Sequence, residues 1–281
     1  MREEMDQLFG DGLGATVVTT VASRAEGAQK FGIDGWDDPQ ARAVLARLRQ
    51  RAAEAGVELE PLILQGEGEV VGAIRRSQAM DAVVRDFARR HGPGAQVLAI
   101  GVGLCNRASR LTEVPVRWVG SDRAAVINLR REMIDDDAVE LRVGDGAARA
   151  VLETLDSALP TLVLVEGVLM YLTEAEVAQM LRDLREYFAL VEVCADIFDT
   201  DTQGDADGRS TELTKSTGTR YTFAVAGAAG LAALAPGWRV RGEIDVMSQV
   251  NPAFAQMVQG YAAAHDGRLM YAVAHIESER R

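Results

Sequence analysis

The stretch Val97-Leu98-Ala99-Ile100-Gly101-Val102-Gly103-Leu104, followed after a helical segment by Val116-Arg117-Trp118-Val119-Gly120-Ser121-Asp122, decides the fold. An apolar run ending in Gly-x-Gly reads as a buried strand that turns into a tight loop, where backbone without Cβ can come close to a ligand. Asp122 follows the glycines by about 20 residues, the separation at which an acid at the tip of the next strand accepts hydrogen bonds from ribose hydroxyls. The unit reads as a nucleotide-type pocket. Its plainer alternative is an ordinary tight turn, with Asp122 capping the helix that follows.

Working outward, short apolar runs at Val97 to Ile100, Trp118 to Val119, Val139 to Val143, Thr161 to Val165 and Leu190 to Val193 have the look of strands buried on both faces. Helical stretches at Arg123 to Ile134, Ala147 to Leu155 and Thr173 to Tyr187 separate them, which implies a mostly parallel, doubly wound α/β sheet. Upstream, Asp37-Asp38-Pro39 starts a helix that Gly56 stops, and a second helix over Ser77 to Arg90 ends at His91-Gly92-Pro93-Gly94. Residues 1–93 are therefore expected as a helical N-terminal region and 94–281 as the core. Residues 196–222 are rich in Asp, Thr, Gly and Ser without an apolar period, and predict a lid-like excursion over about 196–235. Two further strands, Arg239 to Val246 and Leu269 to Ile276, flank a helix through Ala264.

With 281 residues, 48% hydrophobic and 26% charged, the composition is that of a globular protein, and no run is apolar for the length a membrane span needs. A net charge of −12 disfavours nucleic acid as partner, because phosphate backbones are bound by clustered Lys and Arg. The acidic start, Met1 to Asp6, lacks the pattern of a signal peptide, so a cytoplasmic location is expected. Cys105 and Cys194 stand in separate apolar contexts without ligand-spaced partners; free thiols and no metal are expected.

In sheets of this kind ligands bind beyond the carboxyl ends of the strands, and Gly101, Gly103, Asp122, Asp145 and Glu166 all fall there. Asp145, in Val143-Gly144-Asp145-Gly146, can accept a hydrogen bond from an adenine amine or simply form a turn. Glu166 ends a strand so apolar that its carboxylate must be solvated, paired or working on a ligand; capping the next helix is the alternative. His91, His265 and His275 lie outside this cluster.

The stretch Thr161-Leu-Val-Leu-Val-Glu-Gly-Val-Leu-Met-Tyr-Leu-Thr173 resembles the signature of the leucine carboxyl methyltransferase family, which includes bacterial tetracenomycin-type O-methyltransferases of polyketide pathways. Ser23-Arg24-Ala25, Trp36-Asp37-Asp38-Pro39, Arg75-Arg76 through Asp81, and Gly101-Val-Gly-Leu with Arg107 and Arg110-Leu111 fit the same family in order. The resemblance implies a class I, Rossmann-like methyltransferase fold with a seven-stranded sheet whose seventh strand is antiparallel, and S-adenosylmethionine as cofactor leaving as S-adenosylhomocysteine. It implies that Arg76 grips the methionine carboxylate, that Gly101 and Gly103 line the pocket, and that Asp122 holds the ribose. Asp145 with Gly146 would hold the adenine, and Glu166 would lie near the amino group. Arg75 competes with Arg76 for its role. Where the family usually carries an Asp after Gly-x-Gly-Leu, this chain has Cys105-Asn106.

Methyl transfer from a sulfonium needs an oxygen nucleophile, close approach and exclusion of water. Without an obvious base, a carboxylate or acidic hydroxyl of a small molecule, such as a polyketide, is the expected acceptor. Arg24 and Tyr171 match family positions near the transferred methyl, so Arg24 would neutralise the acceptor and Tyr171 orient it. A homodimer is left open. Two readings compete. One is a protein that binds the cofactor without methylating. The other is a nicotinamide-dependent (NAD(P)) oxidoreductase, disfavoured because Asn106 occupies the third glycine of Gly-x-Gly-x-x-Gly.

Overall fold

The computed structural model describes residues 13–63, 66–135, 138–144, 148–202 and 221–279. Helices α1 (Leu13–Phe31), α2 (Pro39–Ala55) and α3 (Glu67–His91) precede a chain that then alternates. It continues through β1 (Gln96–Ile100), α4 (Arg107–Arg110), β2 (Arg117–Asp122), α5 (Ala124–Met133), β3 (Glu140–Val143), α6 (Arg149–Leu152) and β4 (Thr161–Val165). A 3-10 turn (Leu169–Tyr171), α7 (Glu174–Tyr187), β5 (Val191–Phe198), α8 (Gly227–Ala233), β6 (Trp238–Asp245), α9 (Pro252–Ala264) and β7 (Tyr271–Ser278) complete it. The strands form one seven-stranded sheet in the order β3-β2-β1-β4-β5-β7-β6. β1 to β5 pair in parallel, and β7 runs antiparallel to both β5 and β6. This is the class I methyltransferase arrangement expected above.

Alternation along the central strands explains their unbroken apolar runs. Leu98, Val163, Val193 and Ala195 point to one face, where Val177, Leu181 and Leu184 of α7 and Leu231 of α8 cover them. Val97, Leu162, Leu164 and Cys194 point to the other, against Met80, Val84 and Phe87 of α3. Each strand therefore has two dry faces and no polar period. Fully burying one such aliphatic side chain stabilises the fold by roughly 1.5–3 kcal/mol relative to exposure. A third cluster joins α1 and α2 to Leu104, Leu129 and Met133, so the N-terminal helices pack beside the glycine loop after β1.

β2, α3 and β5 run beyond their sequence-predicted bounds, each for a packing reason. β2 extends to Asp122 because Gly120, a poor strand former, leaves space that Val102 and Val139 occupy; a Cβ there would meet Val102 Cγ2 at 2.8 Å. α3 begins at Glu67, ahead of Ser77, because Val70, Val71 and Ile74 are buried although glycines interrupt their period. β5 continues through Phe198, so Asp196 belongs to the sheet and not to the expected excursion, its charge being matched inside the protein. Helix α8 likewise packs into the core within the span predicted as a lid. The Thr217-Gly218 part of that span lies outside the described residues.

The start of α7 is set by a capping box: Thr173 Oγ1 accepts the Glu176 N–H at 3.3 Å, and Glu176 Oε2 accepts the Thr173 N–H at 2.7 Å. Thr173→Ala is expected to cost about 1 kcal/mol. The check is urea denaturation, in which the midpoint should drop at unchanged slope.

Candidate active site

The chain folds the Gly-x-Gly after β1 into a loop with positive φ at both glycines, 66° at Gly101 and 50° at Gly103. Gly101 has no room for a side chain, since a Cβ would stand 2.4 Å from Val168 Cγ2. Three successive loop carbonyls are held by guanidinium groups: Arg130 Nη1 donates to Gly103 O at 3.0 Å and Cys105 O at 2.7 Å, and Arg24 Nη2 donates to Leu104 O at 2.9 Å. The backbone N–H of Gly103 donates to Asp122 Oδ2 and that of Arg123 to Oδ1, both at 2.8 Å. Each oxygen keeps acceptor capacity for a ligand hydroxyl. Burial pushes the Asp122 carboxyl upward against these two N–H bonds, the larger of which comes from Gly103.

Glu166, just past β4, is paired. Arg76 Nε and Ser77 Oγ of α3 each donate to Oε1 at 3.0 Å, and Arg107 Nη2 of α4 donates to Oε2 at 2.8 Å. Burial pushes this carboxyl up, but the Arg107 and Arg76 guanidinium groups outweigh it and hold it well below the usual carboxylate range. Arg107 Nε reaches Asp81 at 2.6 Å, which also takes Arg110 at 3.2 Å. Arg76 Nη1 continues to Tyr271 at 2.9 Å and Asp196 at 3.1 Å. An alternating line of charge thus runs Arg110, Asp81, Arg107, Glu166, Arg76, Asp196.

Arg24, on α1, has different company. Its Nη1 donates to Asn106 Oδ1 at 2.9 Å and its Nε to Thr20 O at 3.3 Å, so among the described residues its hydrogen-bond acceptors are neutral, although its charge also helps to keep Glu166 ionised. The Asn106 amide in turn donates to Asp38, which caps α2 by accepting the Ala41 N–H at 2.8 Å. The family-like Trp36-Asp37-Asp38-Pro39 segment is explained by these bonds: Trp36 Nε1 donates to Arg24 O at 3.0 Å, and the Arg110 guanidinium lies 4.6 Å from the Trp36 ring centre.

Arg24, Arg76, Gly101, Gly103, Asp122, Glu166 and Tyr171 all line one cavity of about 350 Å³ at the carboxyl ends of β1 and β4, where the strand order reverses. Arg75 bonds Gln78 at 2.9 Å instead, which separates it from Arg76. Asp145 and Gly146 lie outside the described residues. Burial, then the neighbouring Tyr221, pushes the Tyr171 phenol up, so it stays protonated and can donate. Its ring meets Tyr221 edge-on at 5.6 Å. No histidine lines the cavity: His91 and His275 face Glu192, and His265 faces Asp201. Sequence reading assigned no role to Asp81, Arg107, Asp196 or Tyr271. A buried acid inside the apolar β5 was the available signal for Asp196.

The sequence profile of the leucine carboxyl methyltransferase family matches residues 17–185. The S-adenosyl-L-methionine-dependent methyltransferase dpfgK of Gibberella zeae is 32% identical over 122 residues, 40% of this chain and 41% of that protein, so the match spans about two fifths of that relative. The tetracenomycin polyketide synthesis O-methyltransferase TcmP of Streptomyces glaucescens is 27% identical over 192 residues, 67% of this chain and 70% of that one. Among solved structures, a proposed methyltransferase from Thermobifida fusca YX superposes with a TM-score of 0.56 at 15% identity, covering 94% of both chains. Magnesium protoporphyrin IX methyltransferase (ChlM) from Synechocystis PCC 6803, with bound SAH, gives 0.51 at 11% identity over 83% of this chain and 99% of that one. At such identities these structures establish the shared fold.

The pairing of Glu166 predicts a pH signature. Its folded value lies below its ordinary 4.5, so its contribution to stability is complete above that pH and is lost as the pH falls further. Glu166→Gln leaves two buried guanidinium groups short of a counter-charge and is expected to cost about 3 kcal/mol at neutral pH. Urea denaturation from about pH 6 down to 3 should show a shallower acid decline in the variant than in the parent.

Proposed function

Because this chain belongs to the leucine carboxyl methyltransferase family, we propose that it transfers a methyl group from S-adenosylmethionine to an oxygen of a small acidic molecule, a carboxylate in the first instance. The cavity suits that donor. The glycine loop offers close backbone approach, Asp122 has acceptor capacity for ribose hydroxyls, and Arg76 presents a guanidinium edge beside Gly167 for an amino-acid carboxylate. Bound there, the cofactor supplies a methyl group on a positively charged sulfur.

The observation that carries the choice of acceptor is Arg24. It is buried on the cavity wall, and among the described residues no carboxylate forms an ion pair with it, whereas Arg76 and Arg107 are matched by acids. A buried cation with only neutral acceptors is stabilised by an anionic ligand. Arg24 then neutralises the acceptor, and the protonated Tyr171 hydroxyl donates a hydrogen bond that orients it. An oxygen that arrives as an anion needs no base, in keeping with a cavity wall that lacks histidine. Glu166 in this reading sets the Arg76 and Arg107 guanidinium groups and leaves direct contact with the cofactor's amino group as its secondary task. The N-terminal helices are part of the catalytic unit, because α1 and α3 supply Arg24 and Arg76.

A screen with radiolabelled S-adenosylmethionine against carboxylic acids and phenols tests the proposal, polyketide-type acids first because TcmP is described as acting in polyketide synthesis. The expected product with a carboxylic acid is a methyl ester, recognised by loss of label in base. Arg24→Ala should lower kcat/KM by about a hundredfold and Tyr171→Phe by about tenfold, the cost of one charge-assisted and one neutral hydrogen bond. Undiminished turnover in both variants would refute the acceptor assignment. Tight donor binding without turnover across the screen would favour a non-methylating role.

A further inference from the structure

Asp196 sits inside strand β5 with a fully buried carboxylate and is not on the cavity wall. Its two oxygens are divided between two structures that are. Oδ1 accepts the Gly167 N–H at 2.7 Å, which holds the turn after Glu166, where Gly167 has a φ of 68°. Oδ2 accepts the Tyr271 hydroxyl at 2.6 Å and Arg76 Nη1 at 3.1 Å. The Tyr271 oxygen itself accepts Arg76 Nη1 at 2.9 Å, closing a triangle. Tyr271 pairs with Phe198 in the antiparallel register, two residues past Asp196, so both side chains project from the same face of the sheet. Its ring also stacks on Phe198 at 4.5 Å, and Phe198 on Tyr221 at 5.3 Å.

A buried acid and phenol are a poor way to stabilise a strand pair, since apolar side chains of similar volume are usually at least as stable there. What this pair supplies is direction. It fixes the rotation of the Arg76 guanidinium, and it fixes the turn against which that guanidinium lies: a Cβ on Gly167 would be 3.7 Å from Arg76 Nη1 and 3.8 Å from Nη2. Burial pushes the Tyr271 phenol far up, so its proton stays in place to donate to Asp196.

We infer that Asp196 and Tyr271 are positioning residues for the amino-acid end of the cofactor, acting through Arg76 and the Glu166–Gly167 turn. The inference rests on the reading of the cavity as a site for S-adenosylmethionine.

The test is calorimetric titration of the full chain and its Asp196→Asn and Tyr271→Phe variants with two ligands. S-adenosylhomocysteine carries the amino-acid end; 5′-methylthioadenosine carries the same nucleoside and sulfur without it. Each variant is expected to bind S-adenosylhomocysteine about tenfold more weakly and 5′-methylthioadenosine unchanged, the loss of one hydrogen bond to a charged group. Unchanged affinity for the first ligand overturns the inference, and so does equal weakening of both, which marks general damage to the fold. Tyr271→Phe keeps the ring on Phe198 and decides the matter by itself should Asp196→Asn not fold. A parent protein that binds neither ligand overturns the cofactor reading beneath it, an outcome distinct from variants that match a binding parent.

Discussion

Buried charge must be matched, and that constraint organises this protein more than any other. Arg110, Asp81, Arg107, Glu166, Arg76 and Asp196 form a line in which neighbours alternate in sign, and the line crosses from helices α3 and α4 to strands β4 and β5. Removing one member leaves its neighbours short of a counter-charge in a low-dielectric interior, which costs far more than any surface pair contributes. The helical layer is therefore locked to the sheet at one height, the height of the carboxyl ends of the strands. Apolar packing beneath, with Met80, Val84 and Phe87 against Val97 and Leu162, tolerates small slips in register that the charge line does not.

The same economy holds the glycine loop. Glycine at 101 and 103 gives the backbone freedom to turn, and freedom alone would leave the loop loose. Arg130 and Arg24 take its carbonyls, while Asp122 takes the Gly103 N–H. The loop is thereby rigid before any ligand arrives, and binding has less conformational entropy to overcome. Asn106 fits this frame through its two-sided amide, which accepts from Arg24 and donates to Asp38. An aspartate there would have no proton to give Asp38, and two buried carboxylates would face each other.

The Arg24 side of the cavity contrasts with the Arg76 side in how charge is settled. Arg76 and Arg107 are each paired with two acids, which fix the direction of the guanidinium edge that Arg76 keeps toward the cavity. Arg24 is engaged by carbonyl and amide oxygens, so it also offers charge. One wall of the cavity is thus matched by hydrogen-bonded acids and the other is not; on the proposed reading the first would orient a zwitterionic amino-acid group and the second would draw in an anion beside it. The two sides are joined by rings, from Tyr271 through Phe198 and Tyr221 to Tyr171.

The unit from Val97 to Asp122 was legible as strand, glycine turn, helix and acid, because each of those signals is written in neighbouring residues: a period in apolar positions, a missing Cβ, a spacing along the chain. The parallel order, the helical region before residue 93 and the placement of Arg24, Arg76, Gly101, Asp122, Glu166 and Tyr171 around one cavity follow from such local patterns together with family likeness. The partners of the buried charges did not. Arg76 meets Asp196 across 120 residues and Tyr271 across 195, and nothing local marks such a pairing. Asp196 even reads as the start of a polar loop, since composition counts a carboxylate as exposed until its cation is known. Local sequence determines which groups carry chemistry and the frame they stand on; only the closed sheet brings distant charges within hydrogen-bond reach, because electrostatic pairing depends on distance in space and leaves no period in the chain.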